Sequence, residues 1–288
     1  MNDLTLTYAA ALKQAAGELL GASVPDPETD ARLLLFHFFE LDLTGYLLCR
    51  DQTVLTAGDE AQEKRLAGFR EAVERRCRRV PLQHILGKAW FYGSMFEVSP
   101  DVLIPRPETE ILVRKALEEI GTRACRVLDL CTGSGCIAVT LKREAPQIRC
   151  LASDISPKAL ELAQRNASAQ GVCVDFVRSD LFDAFDGNER FDLIVSNPPY
   201  IATGEISALQ PEVRLYDPVL ALDGGWDGLD FYRRICREGF RFLNENGALL
   251  MEMGATQGSG ISSILSEAGF GDIRIFRDLN GKDRVIGA

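Results

Sequence analysis

The chain has 288 residues, 46% of them hydrophobic and 26% charged, with a formal net charge of −10, which suits one large or two modest folded domains with a real core. The acidic balance argues against a protein that coats nucleic acid, because phosphate binding relies on clustered Lys and Arg. No apolar run approaches the roughly 20 residues that span a bilayer, and the N-terminus lacks the basic-then-apolar layout of a signal peptide, so a cytoplasmic protein with no membrane contact is expected.

The first 80 residues read as helical. Tyr8, Leu12, Ala15, Ala16, Leu19 and Leu20 recur at helical spacing until Gly21 and Pro25 end the pattern. A second helix around 31–39 is apolar on nearly every side and is expected to be the buried member of a small bundle, with His37 in its core. A third, over 59–79, aligns Leu66, Phe69, Val73 and Cys77 on one face. It carries Lys64, Arg65, Arg70, Arg75, Arg76, Arg78 and Arg79 elsewhere, which reads as a solvated basic face, with a docking surface for RNA or an RNA-bound partner as the competing reading. Residues 85–107, broken by Gly87, Gly93 and Pro100, suggest a β-hairpin joining two halves. Ile104-Pro105-Arg106-Pro107-Glu108-Thr109-Glu110 then leads into an amphipathic helix, with Pro107 at its start and two acids at its positive end.

From Arg126 onward strand and helix patterns alternate, which indicates a parallel sheet covered on both faces. Strands are expected near 127–130, 149–153, 174–178, 191–196 and 248–253, and a terminal hairpin, 273–276 and 284–286 around Asn280-Gly281, adds an antiparallel element. The expected fold is thus α/β and Rossmann-like, with a C-terminal antiparallel hairpin, a small N-terminal helical bundle over 1–84, a linking hairpin over 85–107 and the sheet domain over 108–288. The eight cysteines form no Cys-x-x-Cys pair and His37 and His84 are the two histidines, so no metal site is expected.

The first sheet strand runs into Asp129-Leu130-Cys131-Thr132-Gly133-Ser134-Gly135, and the second ends at Asp154. Glycines at a strand-to-helix turn let backbone approach a ligand, and an acid at the next strand's end accepts ribose hydroxyls, so this is a nucleoside-cofactor crevice. Gly133-x-Gly135-x-x-Ala138 also satisfies a dinucleotide fingerprint, which keeps an NAD dehydrogenase in contention. Asp129 at the strand end, where it can face a cationic amino group, the terminal hairpin, and Asp180-Leu181-Phe182 near the expected adenine position favour S-adenosyl-L-methionine instead. Asn197-Pro198-Pro199-Tyr200, closing the fourth strand, supplies a side-chain amide, carbonyl acceptors on a backbone without N–H donors, and an aromatic that can lie over a planar group. Such a corner accepts hydrogen bonds from a substrate NH2.

In this order, behind a helical N-terminal domain, the motifs 104–110, 129–135, 196–200 and Leu222-Asp223-Gly224-Gly225 with Asp227-Gly228-Leu229 resemble the bacterial release-factor glutamine methyltransferases, the protein-(glutamine-N5) methyltransferase family. The resemblance implies a class I S-adenosylmethionine-dependent methyltransferase acting in translation termination. It would methylate the side-chain amide of the glutamine in the Gly-Gly-Gln motif of peptide chain release factors, with the N-terminal domain recognising the substrate. It implies that Cys131, Thr132, Gly133, Ser134, Gly135 and Asp154 bind the cofactor, that Leu181 or Phe182 flanks the adenine beside Asp180, and that Asn197 lies between cofactor and substrate. Cys131 departs from the pattern, standing where many methyltransferases have a glycine. Asn197 and Pro198 would accept the two amide hydrogens while Tyr200 packs over the amide plane. Three readings compete with this one. An adenine-N6 DNA methyltransferase poses the same chemical problem to the same corner but needs a basic groove. A glutamine methyltransferase of another translation protein would share the whole site, and a non-catalytic RNA-binding factor would use the basic helix instead.

Overall fold

The computed structural model describes residues 5–56 and 58–288. In chain order the helices α1 (Tyr8–Gly21), α2 (Pro27–Phe39), α3 (Leu43–Cys49), α4 (Glu60–Cys77) and α5 (Leu82–Leu86) are followed by strands β1 (Lys88–Phe91) and β2 (Ser94–Glu97). Then come α6 (Thr109–Ile120), β3 (Arg126–Leu130), α7 (Cys136–Glu144), β4 (Arg149–Asp154), α8 (Pro157–Ala169), β5 (Asp175–Arg178) and β6 (Phe191–Ser196). The chain ends with α9 (Pro211–Tyr216), α10 (Asp230–Gly239), β7 (Leu243–Glu252), α11 (Gly258–Glu267), β8 (Arg274–Arg277) and β9 (Asp283–Gly287). These elements form two compact units, one running to Gly87 and including Pro211–Tyr216, the other holding the remainder.

In the first unit, α1 begins where the Thr7 hydroxyl accepts from the Ala10 N–H and α4 where the Asp59 carboxylate accepts from Gln62, each meeting a donor that the first helical turn leaves unpaired. Leu19, Leu34, Leu35, Phe39, Leu66, Phe69 and Val73 close the core. Two expectations are corrected. His37 is exposed rather than buried, because α2 buries one face only and turns Arg32, Leu33 and His37 outward; its ring meets Phe38 edge-on. Arg76 is not on a solvated face: it is 5% exposed, with Nε 2.7 Å from Asp30 Oδ2 and Nη1 3.0 Å from Glu212 Oε1. Arg79 grips the same Glu212 with both ends of its guanidinium, at 2.6 Å each, so two of the seven basic residues are consumed in a buried ion network. Burial works to raise the Glu212 carboxyl, but hydrogen bonds from Arg79 and Arg76 outweigh it and hold it below the ordinary value.

In the second unit β1 and β2 pair antiparallel. This hairpin is shorter than the expected 85–107, since 82–86 is helical and 98–108 carries turns only. α6 starts at Thr109, two residues after Pro107, with Glu108 at the cap position. The main sheet has the order β5-β4-β3-β6-β7-β9-β8. β5, β4, β3, β6 and β7 run parallel, and β9 is antiparallel to both β7 and β8. The chain moves outward from β3 through β4 to β5 and then returns to β6 on β3's other side, so the strand order reverses between β3 and β6, and the crevice beyond their carboxyl ends is where a ligand fits. Side chains alternate across the sheet: Val127, Leu193, Val195 and Leu250 enter the core under α6 and α7, whereas Leu128, Leu130, Ile194, Leu249 and Met251 face the core that includes Tyr232 and Ile261 of α10 and α11.

Arg76→Ala leaves the buried carboxylate of Asp30 without its cation, while Glu212 keeps Arg79, and is expected to lower the unfolding free energy by roughly 3–5 kcal/mol. Arg78→Ala, which removes an ion pair to Glu74 that is about two-thirds exposed at both ends, is expected to cost about 0.5 kcal/mol or less. Chemical denaturation of both variants reads the difference.

Candidate active site

At the carboxyl ends of β3, β4, β5 and β6 lies a cleft enclosing about 950 Å3 of space, part of it open to solvent. Its floor is the glycine loop. Thr132 N–H donates to the Ser153 carbonyl, Gly133 N–H to Asp154 Oδ2 and Gly135 N–H to the Thr132 carbonyl, which ties the turn to the end of β4. At Gly135, φ is +78° and an added Cβ would stand 2.8 Å from the Ala163 Cβ, so only glycine lets α7 begin against α8. Cys131 takes a left-handed φ of +58°, the conformation that explains why glycine commonly fills this position. Burial pushes its thiol far up, leaving a neutral sulfur and no nucleophile.

Among the residues predicted from sequence, Cys131, Thr132, Gly133, Ser134, Asp154, Asp180, Leu181, Asn197 and Pro199 line this one cleft. Asp129, Gly135, Phe182, Pro198 and Tyr200 do not. Asp129 shares strand parity with Val127 and therefore points under α7, fully buried. Its Oδ2 accepts from the Thr132 hydroxyl at 2.6 Å and from Ala138 N–H at 3.2 Å, while Oδ1 has no partner. Burial pushes its carboxyl up to about 7, against those two hydrogen bonds. It holds the loop from behind rather than facing the cleft. Phe182 turns away and stacks on Phe242 at 4.8 Å, leaving Leu181, at φ +50°, on the wall. Tyr200 packs against the core below α10, and its carbonyl accepts from Gln257 Nε2 at 2.9 Å.

Other wall residues were given no place in the cofactor or substrate site from sequence, although 104–110 was read as a motif. Val102, Ile104 and Arg106 come from the stretch before α6 and Thr109 from its first turn, while Pro218, Leu220 and Ala221 come from the segment before α10 and Phe231 from α10 itself. Arg106 Nη2 lies 2.7 Å from Asp217 Oδ2, whose side chain is fully buried; burial pushes the Asp217 carboxyl up to about 6, against the charge and hydrogen bond of Arg106. Asn166, buried on α8, donates to the Ser134 carbonyl at 2.9 Å and joins it to Glu97 of β2. The 222–229 motif acts sterically. A Cβ at Gly224 would lie 2.8 Å from the Tyr200 Cα and 2.9 Å from the Pro199 carbonyl, so this backbone presses directly on the turn that carries Asn197.

The donor set suits an aminoacyl nucleoside cofactor. Asp154 and Asp180 offer acceptors at adjacent strand ends, Ile155, Leu181 and Phe231 offer flat apolar contact, and Arg106 brings a cation to a cleft that is otherwise acidic. Because the folded pKa of Asp129 lies above the ordinary 3.8, at about 7, its contribution to stability is complete below the unfolded value and is lost as pH rises through the folded one. Asp129→Asn keeps an acceptor for Thr132 and Ala138 and removes the titration. It is expected to flatten the fall in stability between about pH 4 and 7 and to leave cofactor affinity within about threefold; a larger loss of affinity in a binding titration would make Asp129 a direct ligand.

Residues 10–87 match the family described as the PrmC N-terminal domain and residues 107–212 the Methyltransferase small domain. The chain is 42% identical over 281 residues to a release factor glutamine methyltransferase of Geobacter sulfurreducens, covering 98% of this chain and 96% of the relative. A release factor glutamine methyltransferase of Cereibacter sphaeroides is 43% identical over 282 residues, covering 97% of each chain. The fold alone is shared with the hMettl16 catalytic domain, at a TM-score of 0.56 and 14% identity over 77% of this chain and 80% of that one. It is shared too with a T. thermophilus 16S rRNA methyltransferase solved with AdoMet and guanosine, at a TM-score of 0.52 and 19% identity over 70% and 49% of the two chains. With a nucleoside cleft at the switch point of its sheet and this similarity along nearly its whole length, the chain belongs to the release factor glutamine methyltransferase family, on the fold of the S-adenosylmethionine-dependent methyltransferases.

Proposed function

We propose that this protein transfers a methyl group from S-adenosylmethionine to the side-chain amide nitrogen of the glutamine in the Gly-Gly-Gln motif of peptide chain release factors, in the cytoplasm. The observation that carries the reading is the place of Asn197. It follows Ser196, the partner of Leu130 across the β3–β6 pair, so its amide opens onto the same cleft as the cofactor loop.

When bound, S-adenosylmethionine supplies an electrophilic methyl group on a sulfonium. A glutamine amide nitrogen is a weak nucleophile because its lone pair is delocalised into the carbonyl, so the protein's task is orientation. In this reading Asn197 Oδ1 accepts one hydrogen of the substrate amide and the Pro198 carbonyl the other, which aims the nitrogen along the line of displacement. Pro198 and Pro199 bring no N–H donors to the turn, so nothing there competes for the acceptors. Tyr200 acts from beneath, anchoring the turn against the core below α10 and through its carbonyl to Gln257. The nitrogen becomes acidic as it gains the methyl, and water takes its proton without a dedicated base.

The first unit is assigned to recognition of the release factor away from the glutamine, and the second to chemistry. The net charge of −10 and the enclosure of Arg76 and Arg79 in ion pairs with Glu212 favour a protein partner over nucleic acid. Among the described residues no helix is long and apolar enough to cross a membrane.

Purified protein is expected to move radiolabelled methyl from S-adenosylmethionine to a release factor, to leave a Gly-Gly-Gln to Gly-Gly-Ala variant and unmethylated DNA unlabelled, and to lose about 100-fold or more in rate in Asn197→Ala with cofactor affinity retained. Label on DNA would replace the substrate assignment with an exocyclic adenine amine, and near-normal transfer by Asn197→Ala would remove Asn197 from the mechanism.

A further inference from the structure

Behind Asn197 lies a carboxylate that this reaction scheme leaves without a task. Glu252 ends β7 and is 2% exposed. It shares strand parity with Leu250, so it points to the face covered by α6, where Thr109 forms the first turn. Its backbone carbonyl accepts from the Tyr232 hydroxyl at 2.8 Å, which pins the end of the strand. The side chains of Thr109 and Asn197 lie beside its carboxyl and draw its pKa down, and Oε2 is buried with no partner. Burial pushes the group up to about 7, against hydrogen bonding from Thr109 and Asn197 and the charge of Arg284.

Chemistry restricts what this carboxylate can do to its neighbours. An ionised carboxyl accepts and never donates, and a hydroxyl that accepts one hydrogen bond still has its own proton to give. Asn197 Nδ2 stands 3.3 Å from Thr109 Oγ1. With that bond made, the Thr109 proton is free for Glu252, and any direct contact of Glu252 with Asn197 again calls for the NH2 edge. The two orientations of an asparagine amide have nearly the same shape and differ only in which edge carries the donors. Turned one way, Asn197 offers an acceptor to an incoming amide; turned the other, it sets donors against donors.

We propose that Glu252 is a positioning residue that, together with Thr109, fixes which edge of the Asn197 amide faces the substrate amide. The inference rests on the assignment of Asn197 as the acceptor for the glutamine. Glu252 touches neither the substrate nor the cofactor in this role; it acts through Asn197.

Glu252→Gln preserves the shape of the side chain and the backbone bond to Tyr232, and gives it a donor as well as an acceptor, so Asn197 is satisfied in either orientation. At about pH 8.5, where a group of pKa about 7 is ionised, this variant is expected to lose about tenfold or more in kcat for release-factor methylation. Its dissociation constant for S-adenosylmethionine, from a titration without substrate, is expected to stay within about twofold. The pair also permits a rescue. Asn197→Asp alone sets two carboxylates against each other, whereas Asn197→Asp with Glu252→Gln lets residue 252 donate to one oxygen of residue 197 and leaves the other to the substrate. The double variant is expected to exceed Asn197→Asp by about tenfold or more. Nitrogen-15 NMR of the Asn197 side-chain NH2 reads the orientation without cofactor or substrate, as slowed hydrogen exchange in the wild type that is lost in Glu252→Gln. That slowed exchange in a protein that fails to methylate a release factor would keep the role of Glu252 and overturn the substrate assignment. Glu252→Gln with kcat within about twofold of wild type, or with kcat and cofactor affinity falling together, would overturn the proposal.

Discussion

The parallel pairing of β3 with β6, with Leu130 opposite Ser196, is the constraint on which the site depends. It joins two strands that the chain lays down on opposite excursions across the sheet, so the glycine loop and the Asn-Pro-Pro-Tyr turn leave adjacent strand ends in the same direction. The Ser196 hydroxyl seals this junction by donating to the Leu130 carbonyl at 2.9 Å in a buried setting. A slip of one residue would turn Asn197 to the other face of the sheet, away from Thr109 and the first turn of α6. The glycines of the 222–229 segment and the Gln257 amide then press on the turn from outside. The turn is thus held by register, backbone contact and side-chain hydrogen bonds together, as orientation of a weak nucleophile requires.

Three buried carboxyls surround the cleft without facing it freely, and each braces a different wall. Asp129 secures the cofactor loop through Thr132 and Ala138, Asp217 secures Arg106, and Glu252 backs Asn197. Burial raises all three, to about 7, 6 and 7 respectively. A raised carboxyl pKa means that stability is lost, not gained, as pH rises through the folded value, so the chemical half of the molecule keeps these groups at a cost in stability near neutral pH. Glu212 of the first unit behaves in the opposite way: two arginines hold its pKa down, and its contribution is lost only as pH falls into the carboxylate range.

Much of the fold was legible in local pattern. The buried strands announced themselves as apolar runs, and the order of the four motifs was enough to identify the family. What stayed hidden depends on partners remote in sequence. Arg76 reads as one more surface charge on a basic helix until Asp30 and Glu212, 46 and 136 residues away, are brought to it. Leu181 and Phe182 are equivalent in composition, and the positive φ at Leu181 decides which faces the ligand and which enters the core. Asp129 looked like a cofactor ligand because it stands at a strand end, yet strand parity, which was readable, turns it beneath α7. Glu252 carries no local signal at all, being a single acid at the end of an apolar strand. Ile104 to Arg106 was visible as a motif, but its role in walling the cleft required the return of the chain at Pro218 to Ala221.

The most direct test is tandem mass spectrometry of a release factor after incubation with this protein and S-adenosylmethionine, locating the added methyl to an atom. One methyl group on the side-chain amide nitrogen of the Gly-Gly-Gln glutamine, and none elsewhere in the factor, is the result the account requires. A methyl group on a backbone amide, a carboxyl or a lysine, or a release factor of unchanged mass beside protein that binds the cofactor, would contradict it.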